Sequence, residues 1–228
     1  MTSSPRQLTL ALPHRSALGL EDFLVGPANA AAVDLVDSWP NWPHWAAFVQ
    51  GPEGAGKSHL GHVWRLRSGA SRVTAREIGQ AALDDLARHG ALLVEDLHEG
   101  VGDEQAMFHA LNLAREHKWS ILATSRLAPG ELDVRLPDLR SRLRALPLVA
   151  ISEPDEGLLA AVLVKLFADR QLEVEPHVIG YLVRHMERSL GAASRVVAEA
   201  DRLALAMQRK VTRAVAAAAL QRETSEDE

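Results

Sequence analysis

"GPEGAGKSHLGHVW", residues 51–64, is the stretch on which the reading of the fold turns. It sets Gly51, Gly54, Gly56, Lys57 and Ser58 in the order G-x-x-x-x-G-K-[ST], and it follows directly on "AAFVQ", residues 46–50, a short apolar run of the kind that becomes a buried strand. Glycines let a loop between a strand and a helix turn tightly and bring backbone N–H groups against an anion. The helix that opens at Lys57 turns the positive end of its dipole toward that anion. Lys57 would reach the β- and γ-phosphates of a nucleotide, and the Ser58 hydroxyl would hold Mg²⁺. A glycine-rich turn that merely resembled the pattern would not need a strand before it and a helix after it. Gly51, Gly54, Ala55, Gly56, Lys57, Ser58 and His59 are therefore the candidate nucleotide-contacting set.

Working outward, "ALLVED", residues 91–96, is four apolar residues ending in two carboxylates. That is the pattern of a buried parallel strand whose tip meets the phosphates. Glu95 would orient the water shell of Mg²⁺, and Asp96 would polarise an attacking water. The plainer alternative is a strand that ends in acids because it emerges into solvent. "WSILAT", residues 119–124, ends beside Thr124 and Ser125, whose hydroxyls either touch a γ-phosphate or cap the next turn. With "RVTA" at 72–75, helices expected over 76–89 and 103–117, and "ALPLVAI" at 145–151, strands and helices alternate. The expectation is an α/β fold: a parallel sheet covered by helices on both faces, with ligand across the carboxyl ends of the strands.

Beyond "ISEPDE", residues 151–156, the pattern becomes helical throughout. Leu158, Leu159, Val162, Leu163, Leu166 and Phe167 fall at helix spacing, as do Val178, Ile179, Leu182 and Val183. Pro176 suits a first helical turn and Thr212 a cap for the last helix. The chain divides into an N-terminal segment over 1–20, an α/β base over 21–151, a small helical lid over 152–222 and an acidic tail over 223–228. "SWPNWPHW", residues 38–45, holds three of the five tryptophans, either as a stacking surface for a base or as a connection packed against the first helix.

Composition narrows the classes. At 228 residues the chain can bury a real core, and its charged (24%) and hydrophobic (47%) fractions are those of a globular protein. It has no cysteine, which removes disulfides and thiolate metal sites and fits a reducing compartment. No window approaches the roughly 18 apolar residues of a membrane span, so a cytoplasmic location without membrane partners is expected. Net charge is -5, with basic residues clustered only between Arg135 and Arg144. Autonomous duplex binding needs a basic face, so any contact with DNA is expected to be indirect.

"RQLTLALPHR", residues 6–15, places Leu8, Leu10 and Leu12 at alternate positions after Gln7. Alternate side chains of an extended segment share a face. The segment reads as an edge strand, as a flap over the protein's own core, or as a hook for the groove of a partner.

In this order the motifs resemble the AAA+ ATPases, and within them the DnaA/Hda family. "EDFLVGPANAAA", residues 21–32, is similar to the family's leading segment, with Phe23, Gly26 and Asn29 at positions that line the adenine pocket. "GPEGAGKSHL" matches the phosphate loop, "LPDLRSRL" at 136–143 resembles the arginine-finger segment, and "DRLALAMQRKVTRAV" at 201–215 is similar to the end of the lid. Counterparts of DnaA's helix-turn-helix and N-terminal domains are not expected here.

The resemblance implies ADP or ATP with Mg²⁺ as ligand. It also implies two partners, the DNA polymerase sliding clamp (its β subunit) bound through Gln7, Leu8, Leu10 and Leu12, and DnaA, into whose ATP site Arg142 would be pressed in trans. Its function would then be negative regulation of replication initiation, with DNA met through the clamp and a homo-oligomer compatible. Four departures stand out. Glu95 replaces the usual Asp, and Asp96 the glutamate of many AAA+ motors. Arg126 stands where DnaA carries an acid. Gly191 aligns with the lid arginine that reaches the phosphates, leaving Arg195 one turn later, or Arg188, as substitute. A self-sufficient AAA+ ATPase of the helicase-loader kind is the alternative, and a P-loop small-molecule kinase a third, against which the finger segment and the lid both count.

Overall fold

The computed structural model describes residues 24–226. Five strands, β1 (Ala46–Gln50), β2 (Ser71–Thr74), β3 (Ala91–Glu95), β4 (Ser120–Ser125) and β5 (Leu148–Ala150), form one sheet in the order β2-β3-β4-β1-β5. Every pairing is parallel, with Ala46 opposite Ile121 and Gln50 opposite Ser125 in the central pair. Burial on both faces explains why these strands read as unbroken apolar runs, for Ala46, Ala47, Phe48 and Val49 are all essentially inaccessible.

Alternation sorts the side chains into two cores. Phe48, Leu92, Val94 and Ile121 pack against α3 (Gln80–His89), α4 (Glu104–His117) and α5 (Pro137–Arg144). Ala47, Val49, Leu93 and Leu122 face α1 (Ala30–Ser38) and α2 (Lys57–Ser68). A third core, built on Leu163, Phe167, Leu182, Val196 and Ala216, joins α6 (Glu156–Asp169), α7 (Pro176–His185), α8 (Leu190–Met207) and α9 (Arg213–Glu226) into the lid.

Local chemistry sets the helix boundaries. Asp103, Asp155 and Ser189 each accept the N–H three residues on, capping α4, α6 and α8. Pro176 opens α7, and Thr212 Oγ1 lies 3.5 Å from the Val215 amide at the start of α9. The helix expected over 76–89 is divided: a 3-10 turn at Ala75–Glu77 precedes α3, because Gly79 between them is fully extended. The acidic end is partly structured as well, since α9 continues to Glu226 and Glu223 accepts from Arg195 Nε at 3.0 Å.

The tryptophan-rich stretch is a packed connection. Trp42 stacks on Trp64 of α2 at 5.5 Å between centroids, and Trp39 meets the same ring edge-on. The three indole N–H groups of the stretch donate to Ser120 Oγ, Leu35 O and Leu111 O, tying it to the sheet, α1 and α4. Among the described residues no helix is long and apolar enough to cross a membrane.

Phe48 sits at 0% exposure in the strand that feeds the phosphate loop, so Phe48→Ala should cost about 3–5 kcal/mol. Leu205→Ala, at a side chain 79% exposed, should stay within about 0.5 kcal/mol. Urea unfolding followed by circular dichroism checks both.

Candidate functional site

Because β3, β4 and β1 are neighbours, their carboxyl ends deliver three loops to one place. The loop leaving β1 is tied to β4 by the Gly51 amide, which donates to Ser125 O at 3.1 Å. It then passes through Gly54 (φ 66°) and Gly56 (φ 98°), left-handed conformations that glycine adopts without penalty, and enters α2 at Lys57. Ala55 is buried beneath it. The Lys57 ammonium, itself 7% exposed, donates to Gly51 O at 2.8 Å and Pro52 O at 2.7 Å. Burial holds its pKa below the ordinary lysine value, aided by the nearby Arg126 charge and opposed by Asp96 and Glu53.

The lid closes on this loop. Gly54 O accepts the N–H groups of Leu190 and Gly191 at 2.8 and 3.1 Å, so the first turn of α8 rests on the phosphate loop. A methyl group at Gly54 would fall 2.7 Å from Ser189 Oγ, so the approach itself requires glycine. Between loop and lid lies a cavity of about 420 Å³. Gly54, Gly56, Lys57, Ser58, Asp96 and Arg126 line its polar side, and Leu24, Val162, Leu166 and Leu190 its apolar side. His59 also borders it. Amides, two cations and an apolar wall in a space of this size suit a phosphate-bearing ligand with a flat apolar end.

The two carboxylates after β3 part company. Glu95 is 1% exposed; its Oε2 accepts from Arg72 Nε on β2, its Oε1 is buried without a partner, and it does not border the cavity. Asp96 takes a left-handed conformation (φ 60°, ψ 44°), held by its amide at 3.4 Å from Thr124 Oγ1, and does border it. Such a conformation costs a non-glycine residue on the order of 1 kcal/mol, and Asp is among the side chains that tolerate it best. No group of three His, Asp or Glu able to hold a metal occurs among the described residues. Ser58 and Asp96, both on the cavity, instead suit a Mg²⁺ ion brought with phosphates, which keeps most of its waters.

At the tip of β4 the hydroxyls serve the backbone: Thr124 Oγ1 faces the Asp96 amide, and Ser125 Oγ accepts from Leu127 N at 3.0 Å. Arg126 is the residue that turns into the cavity, and it pairs with Glu53 of the phosphate loop at 2.7 Å. Its amide donates to His98 Nδ1 at 3.4 Å. Glu53, inside the motif, and Leu24 and Ser194 are lining residues that the motifs do not single out, and Leu166, expected from its spacing as a helix-core position, lines the cavity too.

Two positions from the leading segment act from behind the wall. Asn29 is 1% exposed, accepts from Gly26 N at 2.8 Å and donates to Leu24 O at 3.0 Å, bracing the turn that sets Leu24 on the cavity. Gly26 lies against Leu158, on which a methyl group would press at 3.2 Å. Arg195 is engaged by Glu223 and, at 3.7 Å, Glu187; Arg188 pairs with Glu156; Gly191 borders the cavity. Phe23, Gln7, Leu8, Leu10 and Leu12 lie outside the described residues.

Arg142, in the last turn of α5, is half-buried and does not border the chain's own cavity. Its neighbours are tied to the preceding loop, Arg140 Nε to Val134 O at 3.0 Å and Arg144 to Gly130 O at 3.3 Å. The Arg142 guanidinium has no hydrogen bond or ion pair among the described residues.

Burial, and after it the charge of Arg126, pushes the His98 pKa below its ordinary 6.5. The unfolded chain therefore takes up the His98 proton first, and stability falls as pH drops below about 6.5. Imidazole NMR should show His98 titrating below that value, and Arg126→Ala should move the titration upward.

No family model matches the chain. Chromosomal replication initiator proteins DnaA are similar to it: that of Thermomicrobium roseum is 27% identical over 252 residues, covering 96% of this chain and 53% of the relative. That of a Thermus thermophilus strain is 29% identical over 231 residues, covering 88% and 52%. The chain thus spans about half the length of these curated relatives. Domain III of Thermotoga maritima DnaA superposes with a TM-score of 0.75 at 19% identity, over 89% of this chain and 95% of that one. DnaA bound to AMPPCP and single-stranded DNA gives 0.65 at 23%, over 82% and 64%. The Thermotoga maritima RuvB Holliday junction branch migration motor gives 0.64 at 13%, over 86% and 69%. The fold is that of an AAA+ domain, and the chain is similar in sequence to the DnaA initiators.

Proposed function

We propose that the chain binds an adenine nucleotide, ADP or ATP with Mg²⁺, between sheet and lid, and acts as an Hda-like negative regulator of replication initiation. In this reading the protein is cytoplasmic, holds the sliding clamp through Gln7, Leu8, Leu10 and Leu12, and stimulates hydrolysis of DnaA-bound ATP by supplying Arg142 in trans. The observation that carries the regulatory part is Arg142 itself: a guanidinium with no partner among the described residues, away from its own cavity, between two arginines that are tied down.

Each residue then has a task. Amides of the loop between Gly51 and Lys57, with the N-terminus of α2, hold phosphate oxygens, and Lys57 reaches toward the β- and γ-positions. Ser58 would hold Mg²⁺, with Glu95 orienting its water shell, and the ion would supply neutralisation of phosphate charge. Asn29 and Gly26 set the wall that, with Phe23, receives the base. Arg195, drawn from its glutamates, would reach toward the phosphates from the lid. Asp96 orients water, but its carboxylate is shorter than the glutamate of fast motors, so intrinsic turnover is slow.

In a neighbouring DnaA, Arg142 stabilises the charge that gathers on the transferred phosphoryl group. Fingers supplied in trans accelerate hydrolysis about 10³ to 10⁵ fold, or about 4–7 kcal/mol of barrier. Clamp binding by the leucine segment is extended-peptide recognition, with apolar side chains in a groove and the Gln7 amide adding specific hydrogen bonds.

The test follows DnaA carrying radiolabelled ATP, with clamp loaded on DNA. The wild-type protein should accelerate hydrolysis; Arg142→Ala should lose at least about 10³-fold of that stimulation while still binding nucleotide. Gln7→Ala should lose stimulation together with clamp binding. Rapid turnover by the chain alone, stimulated by DNA without clamp or DnaA, would contradict the reading and favour a self-sufficient AAA+ ATPase.

A further inference from the structure

The helix that carries Arg142, α5, has eight residues and follows the loop 126–136. A helix so short does not hold its own direction in water; what it packs on decides its place. Leu139 and Leu143, both at 0% exposure, seat one face of α5 in the core it shares with Met107 and Leu111 of α4. Two leucines decide which face turns inward and leave the tilt of the helix along that face open. Arg140 Nε on Val134 O and Arg144 on Gly130 O tie α5 to the loop before it, a segment that moves with it.

A tie to a second helix comes from Glu104, in the first turn of α4. One carboxylate oxygen accepts the Arg135 amide at 2.9 Å and the other the Leu136 amide at 2.6 Å, the two amides immediately before α5. Bonds from backbone N–H groups to a carboxylate are charge-assisted and stronger than those to a neutral oxygen. The Glu104 carboxylate serves the neighbouring helix and not its own, because Asp103 already caps α4 through the Ala106 amide at 2.9 Å. Its position in the first turn of α4 further favours its negative charge. Arg142 follows Leu136 within two turns of helix, so a tilt at Leu136 is carried to the guanidinium.

We propose that Glu104 is the positioning residue for Arg142. By holding the two amides that open α5, it fixes the direction in which the helix offers the guanidinium to the phosphoryl group of a partner. Glu104 does not border the nucleotide cavity and acts through α5. This inference rests on the finger reading above and names the residue that aims the finger. A catalytic group misplaced by about 1 Å can cost about 10²-fold in rate, so the loss of one bidentate tie matters.

The test has two arms on the full chain. In amide hydrogen exchange, Glu104→Ala should speed exchange at Arg135 and Leu136 at least about tenfold and leave MgADP affinity within about twofold. In hydrolysis of DnaA-bound ATP with clamp loaded on DNA, titrated with the chain, Glu104→Ala should lower the maximal stimulation about 10- to 100-fold. The half-saturating concentration of the chain should change less than about twofold, because Glu104 aims the finger and does not hold the partner. Glu104→Gln, with one neutral acceptor oxygen, should recover part of the loss. Asp103→Ala removes the cap of α4 beside it and should leave both the exchange at Arg135 and Leu136 and the maximal stimulation as in the wild type. In an Arg142→Ala background, Glu104→Ala should take nothing further away, since the two act as one unit. Full stimulation by Glu104→Ala where Arg142→Ala has lost it, or unchanged exchange at Arg135 and Leu136, would overturn the inference and leave the finger standing. An equal loss in Asp103→Ala, or a further loss in the double variant, would overturn it as well, by making Glu104 a contributor to stability alone. No stimulation by the wild-type chain, or full stimulation by Arg142→Ala, would remove the finger reading and the positioning role with it.

Discussion

Gly54 lends its carbonyl to the amides of Leu190 and Gly191, and the arrangement of the molecule around its cavity depends on that contact. It joins the phosphate loop, rooted in the sheet by Gly51 and Ser125, to the first turn of the longest lid helix. Three cores are thereby brought to bear on one loop: the two faces of the sheet position β1, β3 and β4, and the lid core positions α8. The contact leaves no room for a methyl group at Gly54, so the glycine of the motif is required for assembly of sheet and lid as much as for approach of an anion. Any group that changes the loop's conformation acts at once on α8. Coupling of this sort needs no long pathway, because the two elements share a hydrogen-bonded atom.

Charge is distributed around the cavity with a similar economy. The chain is acidic overall, yet Lys57 and Arg126 face the loop, opposed by Asp96 and Glu53. Lys57 is kept buried by two carbonyls, which compensate part of the cost of taking an ammonium out of water. Glu95 is buried with a guanidinium on one oxygen and no hydrogen-bond partner on the other, behind the cavity rather than on it. Arg142 is the converse: a donor group off the cavity lining, with no hydrogen bond or ion pair among the described residues.

How much of this was legible in the sequence can be argued residue by residue. The strand, loop and helix around Lys57 were, because each has a strong local signature, and so was the helical lid, because its apolar positions repeat at helical spacing over several turns. The split of the helix near Ala75 was not, since nothing in the spacing marks an extended Gly79. Strand alternation could not separate the roles of Glu95 and Asp96, because the left-handed turn at Asp96 and the reach of Arg72 from β2 are tertiary facts. The resemblance sets Gly26 and Asn29 on the pocket wall; neither borders the cavity, and the Asn29 hydrogen bonds brace Leu24, which does. Arg126 was visible as a departure in residue type, but its partner Glu53 sits 73 positions earlier in the chain and needed the fold to bring it across.

The central claim is that an adenine nucleotide engages the phosphate loop and the lid together. Amide hydrogen exchange with and without MgADP reads both elements in one experiment. The account predicts slowed exchange at residues 51–58, where amides would take phosphate oxygens, and a matching slowing at residues 190–193, whose first two amides rest on Gly54. Exchange left unchanged at both segments under saturating MgADP would contradict it.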